Sequence, residues 1–380
     1  RGDELLVNAE TTRKSAATTL GAAAGGLAIG ASVASATFGG TTSAFFESNV
    51  DVGKTAGKLV QDVIISATDG SVATASATAG AAGILSGSGA VALAEVTSGV
   101  SATMGSGAEV VAQDDVSVTA EATPETRASA LGVTVGAGSV GASVATARTN
   151  ANVSASVGSG ANISGDQFDV VARREVGSNP TTAAQAFGAS GGVLFGANAT
   201  LAKASSEGST RATVDDNATL TLRGAATVHA DSNTLQSSSG VGISVGGLLA
   251  VGAVKSEATS NTTTEASIGN GVKLSGPTPA TGSSLSVLAD SADTNFAHGI
   301  AGSGGLVSAP FSEAKTVSNS TTTASTGSGN NDAVNPRKID VTGLNVAASH
   351  TGQFDAWMDS TNASLIGVSG AKATLSLIHI

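Results

Sequence analysis

Along this chain apolar side chains recur on every second residue, in runs that no helical face would explain. Between positions 116 and 130 the even places hold Val116, Val118, Ala120, Ala122, Pro124, Thr126, Ala128 and Ala130, while the odd places include Glu121, Glu125 and Arg127. Period two marks a strand with one face buried and the other in water. The same alternation sets Ala202, Ala204, Thr210, Ala212 and Val214 opposite Lys203, Glu207 and Arg211. It also sets Val254, Ala258, Ser260, Thr262, Thr264, Ala266 and Ile268 opposite Lys255, Glu257 and Glu265. A helical period would bring charges onto the buried side, and abundant Thr, Val and Gly disfavour helix.

The alternation is itself repeated. A pentapeptide of apolar–x–apolar–x–Ala occurs seven times, starting at Leu5, Val63, Val116, Phe168, Ala226, Leu285 and Leu344, at intervals of 58, 53, 52, 58, 59 and 59 residues. A fixed period of this size signals an array of units that bury their apolar faces only by stacking. Residues 1–374 are therefore expected to form a single repeat array. Each unit closes on a second motif, seen as Ala102-Met104-Gly105-Gly107-Ala108-Val110 and Ala155-Val157-Gly158-Gly160-Ala161-Ile163. It recurs as Ala266-Ile268-Gly269-Gly271-Val272-Leu274, and as Ala212-Val214-Asp215-Asn217-Ala218-Leu220 with Asp and Asn in the glycine places. Gly, Asp and Asn share a tolerance of positive φ, so the motif predicts a tight corner.

The fold class predicted is all-β: an elongated parallel β-solenoid, with stacked long antiparallel hairpins turning near residues 136–141 as the alternative. In the solenoid form, three coils of roughly 18–20 residues would fill one unit. Some 19 coils at about 4.8 Å would then make a rod near 90 Å. Ser260, Thr262 and Thr264 would stack inside as hydrogen-bonded ladders. Residues 38–61 depart from the pattern and read as an insertion or a decayed coil.

Composition narrows the interior. Aromatics are 3%, Tyr and Cys are absent, and Trp357 is the one tryptophan. Ala and Val dominate the 41% apolar residues, and such small side chains fill only a thin core. A net charge of −11 argues against nucleic acid, which requires clustered Lys and Arg. Without Cys there are no disulfides, thiolate metal sites or Cys nucleophiles. The chain begins at Arg1, not Met, so an internal fragment is expected, with no signal peptide in view. Residues 375–380, Leu-Ser-Leu-Ile-His-Ile, are what CTGTCTCTTATACACATC encodes, a transposon end used in sequencing libraries. This tail is expected to be non-native and no part of the repeat array.

The repeats resemble those of large secreted bacterial filamentous adhesins, the haemagglutinin-like β-strand repeat proteins. The resemblance rests on Val116-Ser117-Val118-Thr119-Ala120, Ala142-Ser143-Val144-Ala145 and Ala155-Ser156-Val157-Gly158-Ser159-Gly160-Ala161, and it covers most of residues 1–374. It implies a β-solenoid stalk at the cell surface that passes an outer-membrane translocator. Host or neighbouring cell surfaces would be engaged through other parts of the full-length protein.

Motifs with possible chemistry are weak in this context. Gly136-Ala137-Gly138-Ser139-Val140-Gly141 matches a dinucleotide fingerprint, but strand pattern, not helix, follows it. Gly242-Ile243-Ser244-Val245-Gly246 matches a nucleophile elbow, yet His229 and His298 stand at strand positions in different units. Gly53-Lys54-Thr55 lacks the earlier glycine of a phosphate loop, since Ser48 occupies that place. The four His offer no metal spacing. Asp215-Asp216 and Asp290 are too scattered for a calcium roll. Arg1-Gly2-Asp3 reads as a chance tripeptide. Two apolar stretches, 20–36 and 241–254, read as Gly-rich strands rather than membrane helices. A membrane-inserting hairpin would need only about 10 residues per strand. No catalytic, cofactor-binding or metal residue is therefore predicted, no cofactor is called for, and the chain is not expected to be an enzyme. The expected function is a structural and adhesive stalk segment, secreted to the bacterial cell surface. Alternatives are a multivalent glycan- or surface-binding module, with Thr321 and Thr323 outward, and less favourably a β-helix polysaccharide-active enzyme.

Overall fold

The computed structural model describes residues 2–54, 60–176, 181–276, 283–328 and 339–377. Among them there is no helix. The first rungs comprise Gly2–Phe46 (β1), Asp51–Val52 (β2), Val60–Met104 (β3) and Glu109–Val111 (β4). Next come Val116–Ala122 (β5), Glu125–Val157 (β6), Asn162–Gly165 (β7), Phe168–Arg174 (β8), Thr182–Val214 (β9) and Thr219–Leu222 (β10). Ala225–Gly246 (β11), Leu249–Ile268 (β12), Lys273–Ser275 (β13), Ser284–Ser318 (β14), Thr321–Thr326 (β15), Gly343–Gly367 (β16) and Gly370–Leu377 (β17) complete the series.

Every ladder is parallel, as a β-solenoid requires. The register is the sequence repeat itself. Leu5 pairs with Val63, Val63 with Val116, Val116 with Phe168, Phe168 with Ala226, Ala226 with Leu285, and Leu285 with Leu344. One unit is thus one complete rung, which corrects the expectation of three short coils per unit. Seven rungs at about 4.8 Å make a stack about 30 Å deep, not a 90 Å rod.

The wide rung follows from its small interior residues. In the second rung one arm runs over 60–82, the chain folds back at 83–85, and a second arm returns over 86–104. The arms lie face to face. Thr126 and Thr149 Oγ1 are 2.7 Å apart across this gap, and Asn295 Nδ2 donates to the Val317 carbonyl at 3.0 Å. A Cβ built on Gly240 would stand 2.8 Å from Val254 Cγ1. With Ala, Gly and Ser inside, two arms can approach directly, and no corner is needed every five or six residues. The antiparallel-hairpin alternative is corrected by the same geometry. The arms do run in opposite directions, but they meet through side chains, and their backbone ladders join neighbouring rungs.

At the base the short strands β2, β4, β7, β10 and β13 form a five-stranded third side. The larger residues gather in this triangular section, among them Ile65, Met104, Val110, Ile163, Phe168, Leu220 and Leu285. Volumes compensate along the stack: Phe168 stands between Val116 and the small Ala226 in one column. Above the base the arms narrow to a blade filled by alanines, including Ala75, Ala77, Ala92, Ala94, Ala130, Ala147, Ala184 and Ala202. Each CH₂ buried contributes about 0.8 kcal/mol, so the base stabilises more per residue than the blade.

The corner motif adopts the predicted conformation. Gly107, Gly160, Asn217 and Gly271 have φ of 65°, 71°, 62° and 67°. Each N–H donates to a carbonyl of the next rung, Gly107 to Ser159, Gly160 to Asp216, Asn217 to Asn270 and Gly271 to Ser328. Asn49 (φ 60°) occupies the same place and donates to Ser106. This overturns the reading of 38–61 as an insertion. Its described part is a regular arm and corner, with Val52 buried beside Val110. Asn49 hides the motif because the glycine it replaces carried the sequence signal. At the far end Leu375–Leu377 pair with Thr316–Ser318; Ile378–Ile380 lie outside the described residues.

Replacing Gly160 by Val should cost about 1–3 kcal/mol, because a β-branched residue is strained at positive φ, whereas Gly160→Asn should be near neutral. Urea unfolding of both variants checks the difference. Ala130→Leu should cost about 1–3 kcal/mol by overpacking the blade, read in the same experiment.

Candidate functional site

The sequence motifs occupy structural places. Residues 136–141 form part of the fold-back at the blade tip. Ser244 points inward, where its hydroxyl donates to the Val251 carbonyl at 2.7 Å and meets Ser190 Oγ at 3.2 Å. His229 and His298 face outward, each 3.0 Å from a carboxylate of the next rung, Asp290 and Asp355 respectively. They form no constellation with Ser244. Lys54 pairs with Glu109 and Asp51 beside the turn at Gly53 (φ 72°); Thr55 lies outside the described residues. So do Arg1 and the side chain of Asp3. Among the described residues no three His, Asp or Glu gather as a metal site. Thr321 and Thr323 lie on β15 at the sheet edge, paired to Thr263 and Glu265.

Between base and blade runs a polar neck that matches no sequence motif. One inward column reads Asp69, Ala122, Arg174, Ser232, Ser291 and His350 from rung to rung. Asp69 accepts from Ser71 Oγ at 2.7 Å. Arg174 is 1% exposed; it donates to the Glu207 carbonyl at 3.0 Å and to Ser206 Oγ. Burial lowers its pKa to about 10, against a smaller raising influence from Asp293. The Asp293 carboxylate is fully buried and accepts from Thr234 (2.7 Å) and Ser318 (2.9 Å). His350 Nδ1 lies 3.1 Å from Ser291 Oγ, and its Nε2 lies 3.8 Å from Asp293. Ser, His and Asp thus meet, but Ser291 is 4% exposed inside the stack and Asp293 is occupied by two hydroxyls. The group works as an interior polar brace. Its sequence signal was available: a charged residue at an inward position of the alternation.

The outer surface divides into two zones. Lower on the arms the charges pair between rungs, as in Arg148–Glu207 (2.8 Å) and Arg211–Glu265 (3.1 Å). Exposed pairs of this kind contribute little, about 0–1 kcal/mol each. Towards the fold-back the outward residues become apolar. Leu27, Ile84, Val135, Val193, Val245 and Leu306 are among the exposed residues there. On the returning arms a groove of about 620 Å³ runs across five rungs, floored by Ala142, Ala199 and Ala253 and flanked by Val144, Leu201 and Phe311. The stretches 20–36 and 241–254 fall in this zone as strands, and among the described residues no helix is long and apolar enough to cross a membrane.

No protein-family model, curated protein or solved structure matches this chain.

At the corner of the fourth rung Asp215 takes the place of Gly105, Gly158 and Gly269. Its pKa is raised by burial and, secondarily, by neighbouring Asp216, which accepts from the Asn270 N–H at 2.6 Å. The folded state then binds the proton more tightly than the unfolded state, so stability falls as pH rises through that window. Asp215→Asn should be more stable than the parent at pH 7. Its advantage should shrink on acidification and vanish below the ordinary value of 3.8, as followed by denaturation at a series of pH values.

Proposed function

We infer that this chain is a segment of a large exported bacterial surface protein and serves there as a structural and adhesive stalk, without catalysis. The continuous in-register parallel stacking of all seven units supports this reading most directly. A rung bonds only to the rungs beside it, so such a body extends by adding units and can fold rung by rung as it emerges from a translocator. Wide rungs also give a stack that resists bending across its breadth. The likeness of Val116-Ser117-Val118-Thr119-Ala120 and its counterparts to filamentous-adhesin repeats points the same way, with export through an outer-membrane translocator. Contact with host or neighbouring cells would fall to other parts of the full-length protein. The acidic charge of −11 suits a surface role without nucleic acid.

Antibodies raised against the purified chain should label intact cells that carry the gene. Labelling that requires permeabilised cells would overturn the surface placement.

A further inference from the structure

Towards the fold-back the blade reverses the usual polarity of a water-exposed sheet, which keeps apolar residues inside and polar ones out. In the third rung Leu131, Val133, Val135 and Val140 point outward, while Thr134, Ser139 and Ser143 are buried between the arms. The fifth rung does the same: Ile243, Val245, Leu248 and Leu249 are exposed and Ser244 is buried. No Asp, Glu, Lys or Arg falls within 15–36, 70–94, 128–147, 181–202, 232–254 or 294–312, the upper parts of the first six rungs. The seventh rung ends the zone, with Asp359 opposite Ile300.

The shape of this patch selects its occupant. Apolar residues cover both outer faces and the crest, so whatever shelters them must surround the blade on three sides. A second copy of a flat blade covers one face; liquid hydrocarbon covers all three. The dimensions agree. From Leu131 to the fold-back at Ala137 is six residues, about 20 Å of strand. One leaflet contributes about 15 Å of hydrocarbon. The nearest charges in the fifth and sixth rungs, Lys255 and Glu313, stand about seven residues down, near 23 Å, at headgroup depth. From the third to the sixth rung the backbone groups are engaged in inter-rung ladders, as burial in lipid demands. Inside the blade, Thr134 and Ser244 donate to the Ala189 and Val251 carbonyls.

We propose that the crest is a membrane-docking edge that sinks into one leaflet of a bilayer with electrically neutral headgroups. Neutral headgroups follow from the net charge of −11, which repels anionic lipid. The proposal goes beyond the stalk reading and holds whether or not that reading does.

Flotation of the purified chain with phosphatidylcholine vesicles tests it. The chain should float, and Val135→Asp/Leu194→Asp/Val245→Asp should reduce the bound fraction by more than about tenfold. Thr119→Asp/Thr227→Asp/Ser286→Asp, which adds the same charge to outward positions at the base, should float like the parent. A parent that stays at the bottom of the gradient, or a crest variant that floats undiminished, overturns the proposal. So does a parent that dimerises through the crest, by sedimentation velocity, without binding vesicles; the occupant is then a second copy. As a second readout, Leu194→Trp in a Trp357→Phe background should be quenched by lipid brominated on its acyl chains. Unquenched fluorescence counts against insertion even if the Asp variants fail to fold.

Discussion

The parallel ladder between residues one unit apart is the constraint on which the rest of the structure depends. Each rung's backbone donors and acceptors are satisfied by residues 52–59 positions away, so no rung is complete without its neighbours. This fixes the corners. Where the chain must turn from the long arm to the short third side, a residue at positive φ presents its N–H to the adjoining rung, and Gly or Asn fills the place. It also fixes the columns, because a residue type chosen once is repeated above and below itself.

Within that frame, side-chain size sets the cross-section. Val, Ile, Leu, Met and Phe hold three sides apart at the base, and alanine lets two sides close into a blade. The polar neck lies where the two regimes meet. There Arg174, Asp293 and His350 lie inside the stack, bonded to hydroxyls and carbonyls, which offsets the cost of removing them from water. Higher up, hydroxyls line the inside and apolar groups the outside, so one arm passes from a water-facing pattern to its inverse within a single strand.

Much of this was legible in the chain. The pentapeptide starts coincide with the ladder register at all seven units, and the corner glycines take the positive φ their Asn217 substitution foretold. The number of coils per unit was not legible. Alternation looks the same whether a run of 15 residues bends twice or continues straight, because a corner can preserve parity. Asn49 concealed one corner by using the less common solution. The neck was overlooked because Ser291, Asp293 and His350 are spread over 60 positions and only the register unites them.

The sequence alone determined that this chain is built of strands, that it repeats, and where its units begin, since alternation and period are local and translational properties. Only the tertiary structure decided that one unit makes one rung, which polar residues meet at the neck, and that the apolar positions near the fold-back face outward. Those outcomes depend on which arm lies opposite which, and that choice is made by packing across the blade, between residues that no local pattern connects.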